Sequence, residues 1–139
     1  MNLDKAIELA IKYHQGQKDK GGKPYILHPL HVMNNVTTEK EKIVAILHDV
    51  IEDSTYTFED LKKDGFSSDI IEALVFLTHD KNTDYFDYIK KIKRNKLARN
   101  VKLEDLKHNL DITRLKTLDD KTFLNLKKYW EAYKILKRR

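Results

Sequence analysis

Residues 43–51 read IVAILHDVI, and this run constrains the fold more than any other part of the chain. Apolar side chains at 43–47, 50 and 51 leave a helix here without a polar face, and Thr38 with Glu41 has the capping-box spacing that starts such a helix just upstream. A helix apolar all round needs other elements packed about it, so this segment is expected at the centre of the structure. Composition supplies the packing partners. With only 4 Gly and 2 Pro, 40% hydrophobic and 35% charged residues, the chain is typical of soluble helical proteins, and sandwiches, barrels and disordered tails are unlikely compositions for it. At 139 residues it is long enough to bury one core, and one domain, 1–139, is expected.

Further helix signals surround the central one. Asn2 can cap a helix carrying Leu3, Ala6, Ile7, Ala10 and Ile11 on one face as far as about His14. GQKDKGGKP, residues 16–24, then predicts a mobile polar loop. His28-Pro29 places a proline where a helix begins, and a short helix to about Val36 follows. Thr57 with Asp60 gives a looser cap for a short helix ended by Gly65, and Ser67 or Ser68 starts DIIEALVFLT. Thr83 is expected to cap a helix with Tyr85, Phe86, Tyr88, Ile89 and Ile92, and Asn95 one with Leu97, Ala98, Val101, Leu103 and Leu106. The last helix, from Asp119 or Asp120, is expected to carry Phe123, Leu126, Tyr129, Trp130 and Tyr133 on a broad apolar face. No internal repeat or low-complexity linker breaks the series. The expected fold is all-α, with roughly eight helices, some short.

Charge and cysteine content narrow the chemistry. There is no Cys, hence no disulfide, thiolate ligand or cysteine nucleophile. No apolar run approaches a membrane span, and the start MNLDKAIEL lacks the pattern of a signal peptide, so a cytoplasmic protein without membrane association is expected. The net charge of +5 invites a nucleic-acid reading, but residues 1–119 carry 20 basic and 20 acidic side chains, and the excess lies in the last twenty residues. Within the neutral body the signs separate. Residues 49–60 hold five acids and no base, while 90–102 hold seven bases and no acid, a division suited to a metal cation beside an anionic small molecule.

His48 and Asp49 interrupt the central helix where its pattern calls for apolar side chains. A buried carboxylate needs a partner or a metal, and imidazole beside carboxylate is a natural pair of cation ligands. Taken alone, the pair is explained more simply by an Asp49 satisfied by a nearby histidine or a helix cap. His28 at a helix start and Asp105 on an otherwise core-facing helix add a second imidazole and a second carboxylate. Each is ordinary by itself, one a helix-terminal residue and the other a surface acid; together the four suit Mn, Fe or Zn with positions left for water.

The motifs YILHPLHV, ILHDVIED and VKLEDLKHNL resemble, in order and in flanking sequence, the HD-domain phosphohydrolases of the RelA/SpoT type, above all the stand-alone small alarmone hydrolases, over roughly residues 3–115. The resemblance implies an all-α fold, a manganese ion held by His28, His48, Asp49 and Asp105, and removal of pyrophosphate from the 3′ position of ppGpp or pppGpp. It also implies Glu52 and Asp53 as the acid/base pair. On a helix these lie four residues beyond His48 and Asp49 and continue the polar ridge, and acids at a helix C-terminus are unfavourable for its dipole, which points to a functional reason to keep them; the simpler alternative is that the helix surfaces there. Asn109 matches a family asparagine expected at the sugar or nucleotide, with His108 beside it read as packing or structural. Lys18, Lys20 and Lys23 match the family's basic loop, which commonly carries an arginine beside lysine; here it holds only lysines, and a lysine lacks the planar fork that grips guanine or phosphate in two places.

Lys102, three residues before Asp105 on one helix face, is the best placed of the basic run to meet a substrate diphosphate; most of that run reads as a solvated face. Tyr85 and Tyr88 suit a nucleotide pocket, though aromatic residues at helical spacing more often pack in a core. The terminal KRR is expected to solubilise the tail or steer anions. The roughly 24 residues beyond the resemblance are too few for a second catalytic domain, so no synthetase is expected. Two other functions fit the same residues: hydrolysis of a different nucleotide, and a helical module that binds a nucleotide or a protein without hydrolysis.

Overall fold

The computed structural model describes residues 2–138, which leaves Met1 and Arg139, the last residue of the terminal KRR, outside the described residues. Among them the regular structure is helical throughout: α1 (Leu3–His14), α2 (Leu27–Asn34), α3 (Glu39–Asp53), α4 (Phe58–Lys63), α5 (Ser68–Leu77), α6 (Tyr85–Ile92), α7 (Lys96–Asn109) and α8 (Asp120–Lys137), with a 3₁₀ turn at Ile112–Arg114 before the last helix. The all-α expectation holds. No helix among the described residues is long and apolar enough to cross a membrane.

α3 is the axis of the fold. Thr38 Oγ1 accepts from the Glu41 amide at 3.1 Å while Glu41 Oε1 accepts from the Thr38 amide at 2.9 Å, the reciprocal cap that its sequence spacing predicts. Every residue from Ile43 to Val50 is buried, and the helix packs against α1, α2, α5 and α7. The second oxygen of Glu41 accepts from Asn100 Nδ2 at 2.8 Å, which ties the start of α3 to α7. The register of α3 against α7 is thus fixed at one end, and the opposite ends of both helices carry the polar residues considered below.

Several local expectations are corrected. α2 begins at Leu27, two residues before Pro29, because a turn closed by Leu27 N–H to Pro24 O and His28 N–H to Tyr25 O leads straight into it; proline fits anywhere in a first turn, where no N–H is needed. The helix stops at Asn34, short of Val36. Asp84 rather than Thr83 caps α6, its carboxylate accepting from the Phe86 and Asp87 amides, where the positive helix end also stabilises a negative charge. On α8 the buried positions are Ala132 and Leu136, while Phe123 and Trp130 are 55% and 50% exposed, so the expected apolar face is turned partly outward.

Residues 16–24, the expected polar loop, lie outside the helices and are closed by internal hydrogen bonds. Gly16, at φ +81°, takes the chain away from the end of α1 in a conformation that a side chain would disfavour. Asp19 Oδ1 then accepts from the Gly21 and Lys23 amides, Asp19 N–H donates to Lys23 O, and Tyr25 N–H donates to Gln17 O. Gly21 lets the turn lie against the segment after α7: a Cβ there would sit 2.5 Å from the Arg114 carbonyl oxygen.

Candidate active site

His48 and Asp49 of α3, His28 of α2 and Asp105 of α7 are each at most 8% exposed, and their polar ends meet. His28 Nε2 lies 2.7 Å from Asp105 Oδ1, His48 Nε2 lies 3.2 Å from Asp49 Oδ1 and 3.7 Å from the same Asp105 oxygen. The three helices bring them together because α3 packs on both α2 and α7. His48 Nδ1 is 3.0 Å from the Ala45 carbonyl, so the Nδ1 proton is held by the backbone and Nε2 is left facing the carboxylates. Tyr25 donates its hydroxyl to Asp49 Oδ2 at 2.6 Å, and Lys102 Nζ stands 3.0 Å from Asp105 Oδ2.

Electrostatics follow from burial and pairing. Burial pushes the Asp105 carboxyl up, but the Lys102 ammonium, the His28 hydrogen bond and His48 outweigh it and hold Asp105 well below the usual carboxylate range. Burial likewise opposes the charged form of Lys102, and Asp105 with Tyr88 and Tyr85 more than offsets it, so Lys102 stays an ammonium. Asp49 and Asp105 overcome burial to raise His48. Glu52 and Asp53 move the other way from Asp105. Glu52 is raised by partial burial, only partly countered by the His79 amide that it accepts from at 2.9 Å, and Asp53 is raised by partial burial and by the Asp49 charge.

His28, His48, Asp49 and Asp105 form the floor of a cavity of about 490 Å³. Lys18 and Lys20 reach it from the turn, and Lys102 and Asn109 line it from α7, as does Glu52 from α3. Lys23 and Asp53 are not among its lining residues. Lys23 is an exposed residue of the turn, whose amide serves the turn's own hydrogen bonds. Asp53 is the exposed last residue of α3.

Several lining residues have no motif that singles them out. Arg114 comes from the 3₁₀ turn, donates through Nη1 to the His108 carbonyl and stands 3.7 Å from Asp19 Oδ2. Lys128 and Tyr129 come from α8, with the Lys128 ammonium 4.6 Å from the centre of the Tyr85 ring. Tyr85 and Tyr88 do reach the cavity; the Tyr88 hydroxyl donates to the Leu77 carbonyl, whereas the buried Tyr85 hydroxyl has no hydrogen-bond partner among the described residues. Tyr25 is adjacent to the HP motif, and its link to Asp49 spans two segments, beyond the reach of local periodicity.

The donor chemistry of the four side chains fits a divalent cation: two imidazole nitrogens and two carboxylates, buried at the base of the cavity and converging from three helices. As they stand they bond to one another, and among the described residues no group of three or more His, Cys, Asp or Glu side chains is spread to receive a metal ion.

No family model matches the chain. In sequence it is similar to a GTP pyrophosphokinase of Streptomyces coelicolor, with 38% identity over 77 residues, 52% of this chain and 9% of that protein. It is also 40% identical over 65 residues to a guanosine-3′,5′-bis(diphosphate) 3′-pyrophosphohydrolase of Aquifex aeolicus, covering 44% of this chain and 9% of the other, and 34% identical over 77 residues to one of Borreliella burgdorferi, covering 52% and 11%. The chain therefore spans about a tenth of the length of these curated relatives. In fold it is similar to a metazoan ortholog of SpoT described as hydrolysing ppGpp, with a TM-score of 0.76 over 97% of this chain and 85% of that one at 22% identity.

Proposed function

We propose that this chain, related in sequence and in fold to the HD-domain proteins of the RelA/SpoT type, is a metal-dependent phosphohydrolase that releases pyrophosphate from the 3′ position of a guanosine alarmone, turning ppGpp or pppGpp into GDP or GTP. The observation that carries the reading is the convergence of His28, His48, Asp49 and Asp105 on the cavity floor. In this reading those four hold a divalent cation, manganese first among the candidates. Bound there, such a cation supplies a water of lowered pKa and neutralises charge on phosphoryl oxygens.

The rest belongs to the chain's own residues. Glu52 and Asp53, one turn beyond His48 and Asp49, are the acid/base pair, and their raised affinity for protons suits exchange with water and a leaving oxygen closer to neutral pH. Lys102, fixed against Asp105, presents positive charge to the diphosphate from inside the cavity. Lys18 and Lys20 add charge at the rim, with Lys23 behind them in the turn, and Asn109 offers an amide to the sugar. The unpartnered Tyr85 hydroxyl supports the presence of a polar ligand at this wall, because a buried hydroxyl without a partner is costly. In this reading residues 1–139 belong to one HD-type hydrolase domain acting in the cytoplasm.

The test is direct. Purified protein with Mn2+ is given ppGpp, and GDP and pyrophosphate are followed; stoichiometric release of both is expected, and intact ppGpp with metal bound rejects this substrate. The all-lysine turn favours a second reading, another nucleotide, and a panel of nucleotides assayed side by side separates the two. Faster turnover of a nucleotide without a 3′-diphosphate decides for the second.

A further inference from the structure

We infer that His108 is the positioning residue for His28, holding its ring through an imidazole–imidazole hydrogen bond in both the cation-free and the cation-bound state. The inference rests on the reading of His28 as a cation ligand. The two Nδ1 atoms are 2.7 Å apart, and the ring planes are only 7° from parallel with centroids 5.0 Å apart. A nitrogen–nitrogen contact that short at that centroid separation requires rings lying edge to edge in nearly one plane, so this is an in-plane N–H···N bond and not a face-to-face stack. On the opposite side of the same ring, Nε2 faces Asp105 Oδ1 at 2.7 Å. Both nitrogens of buried His28 are thereby fixed, one by the carboxylate and one by His108.

His108 is itself held in place. His31, one turn after His28 in α2, stacks on its face at 3.8 Å between centroids and 12° between planes, and its backbone carbonyl accepts from Arg114 Nη1 at 2.9 Å. Two ring nitrogens 2.7 Å apart hold a single proton between them, so one ring donates and the other accepts.

A neutral imidazole carries one donor and one acceptor, and that is the property His28 needs. Without a cation, the short contact to the Asp105 carboxylate places the His28 proton on Nε2, leaving Nδ1 to accept from His108. As a cation ligand, His28 presents a bare Nε2 and carries its proton on Nδ1, which then needs an acceptor. A carbonyl or carboxylate beside Nδ1 serves only the second state, and an amide N–H only the first. His108 serves both by changing tautomer, with no movement of either ring.

The experiment uses the full chain and simple cations. Mn2+ alone is titrated into wild type, His108→Phe and His108→Asn by calorimetry, and the ring nitrogens of wild-type His28 are followed by 15N NMR with and without Zn2+. His108→Phe keeps a ring against His31 and removes both nitrogens; Mn2+ binding is expected to weaken about 10- to 100-fold. His108→Asn, whose amide can donate or accept, is expected to recover part of that loss. The His28 proton is expected on Nε2 without cation and on Nδ1 with it, a signature that a merely space-filling His108 does not produce. Affinity in His108→Phe equal to wild type, or a His28 proton on the same nitrogen in both states, overturns the inference while leaving the cation site intact. Wild type that takes up neither Mn2+ nor Zn2+ overturns the cation reading itself, and the inference with it. The wild-type NMR arm stands even if a variant does not fold.

Discussion

The floor of the cavity and its rim use charge in opposite ways. On the floor, His28, His48, Asp49 and Asp105 sit on three packed helices, buried, each engaged by another polar group. At the rim, Lys18 and Lys20 project from a turn into solvent and line the opening. Charges on the floor are little screened and hard to rearrange, whereas those at the rim are surrounded by water and weakened by salt. The floor therefore suits chemistry, which demands fixed geometry, and the rim suits attraction of an anionic substrate, which does not.

The sharpest way to break this contrast is to empty the floor. His48→Ala and Asp49→Ala are expected to abolish turnover, while Lys137→Ala, on the exposed end of α8, leaves it unchanged; steady-state assays of pyrophosphate release check both. Asp105→Ala should do more than abolish activity, since it strands the Lys102 ammonium in the interior. Breaking a buried pair by removing one partner costs about 3–5 kcal/mol, and denaturant unfolding of the metal-free protein should register a loss of that order. The same pair has a pH signature. The folded-state pKa of Asp105 lies below its unfolded value, so its stabilisation is present above the ordinary aspartate range and is lost as pH falls through the depressed folded value. Stability profiles of wild type and Asp105→Asn should therefore converge in strong acid and separate above it.

Glu52 and Asp53 lie one turn beyond the floor residues on α3 but are exposed, Glu52 lining the cavity and Asp53 outside its lining, and their substitution should show both characters. Glu52→Gln and Asp53→Asn are expected to reduce kcat by about 10²- to 10⁴-fold, the range for loss of a positioned acid or base. Their effect on stability has the opposite sign to that of Asp105. A carboxyl raised in the folded state contributes stability below its unfolded pKa, and that contribution disappears as pH rises through the folded value. At neutral pH the ionised forms thus weigh against folding, and the amide variants should melt no lower than wild type. Parallel melting and kinetic measurements make this check, and a joint loss of stability and activity would assign the two residues to packing.

How much of this was legible in the sequence depends on which physical signal each residue leaves. The helices at 3, 39, 96 and 120 follow from Asn2, Thr38, Asn95 and Asp119, because capping is local and each cap makes its expected hydrogen bond. The His48-Asp49 pair stood out by violating the apolar pattern around it, a conflict that burial makes expensive. Asp105 gave a weaker signal of the same kind, and only packing of α7 on α2 reveals that it meets His28. Arg114, Lys128 and the pairing of His108 with His28 leave no periodic trace: they depend on how the chain after α7 folds back and on contacts between residues 80 apart. The turn at 16–24 is legible as a loop because its composition is polar and glycine-rich, but Asp19 gathers its amides inward, an effect of one carboxylate that composition does not carry.

The rim yields the smallest expected effect and tests the contrast from its weaker side. Lys18 and Lys20 are exposed, so neither side chain is held in the single geometry that a strong phosphate contact requires. Lys18→Ala and Lys20→Ala are expected to raise KM for the nucleotide by a few-fold each, roughly the worth of an exposed ionic contact, with kcat unchanged. Salt should erase the difference: at about 0.5 M added salt, where screening acts within a few ångströms, variant and wild type should share one KM. Lys102→Ala gives the counterpart, since its largely buried ammonium is held against Asp105 in the cavity, where salt screens it far less; its defect should persist at high ionic strength and extend to kcat. A salt-insensitive KM defect in Lys20→Ala would mean that the turn closes over the nucleotide and buries the contact, making the rim part of the floor whenever substrate is bound.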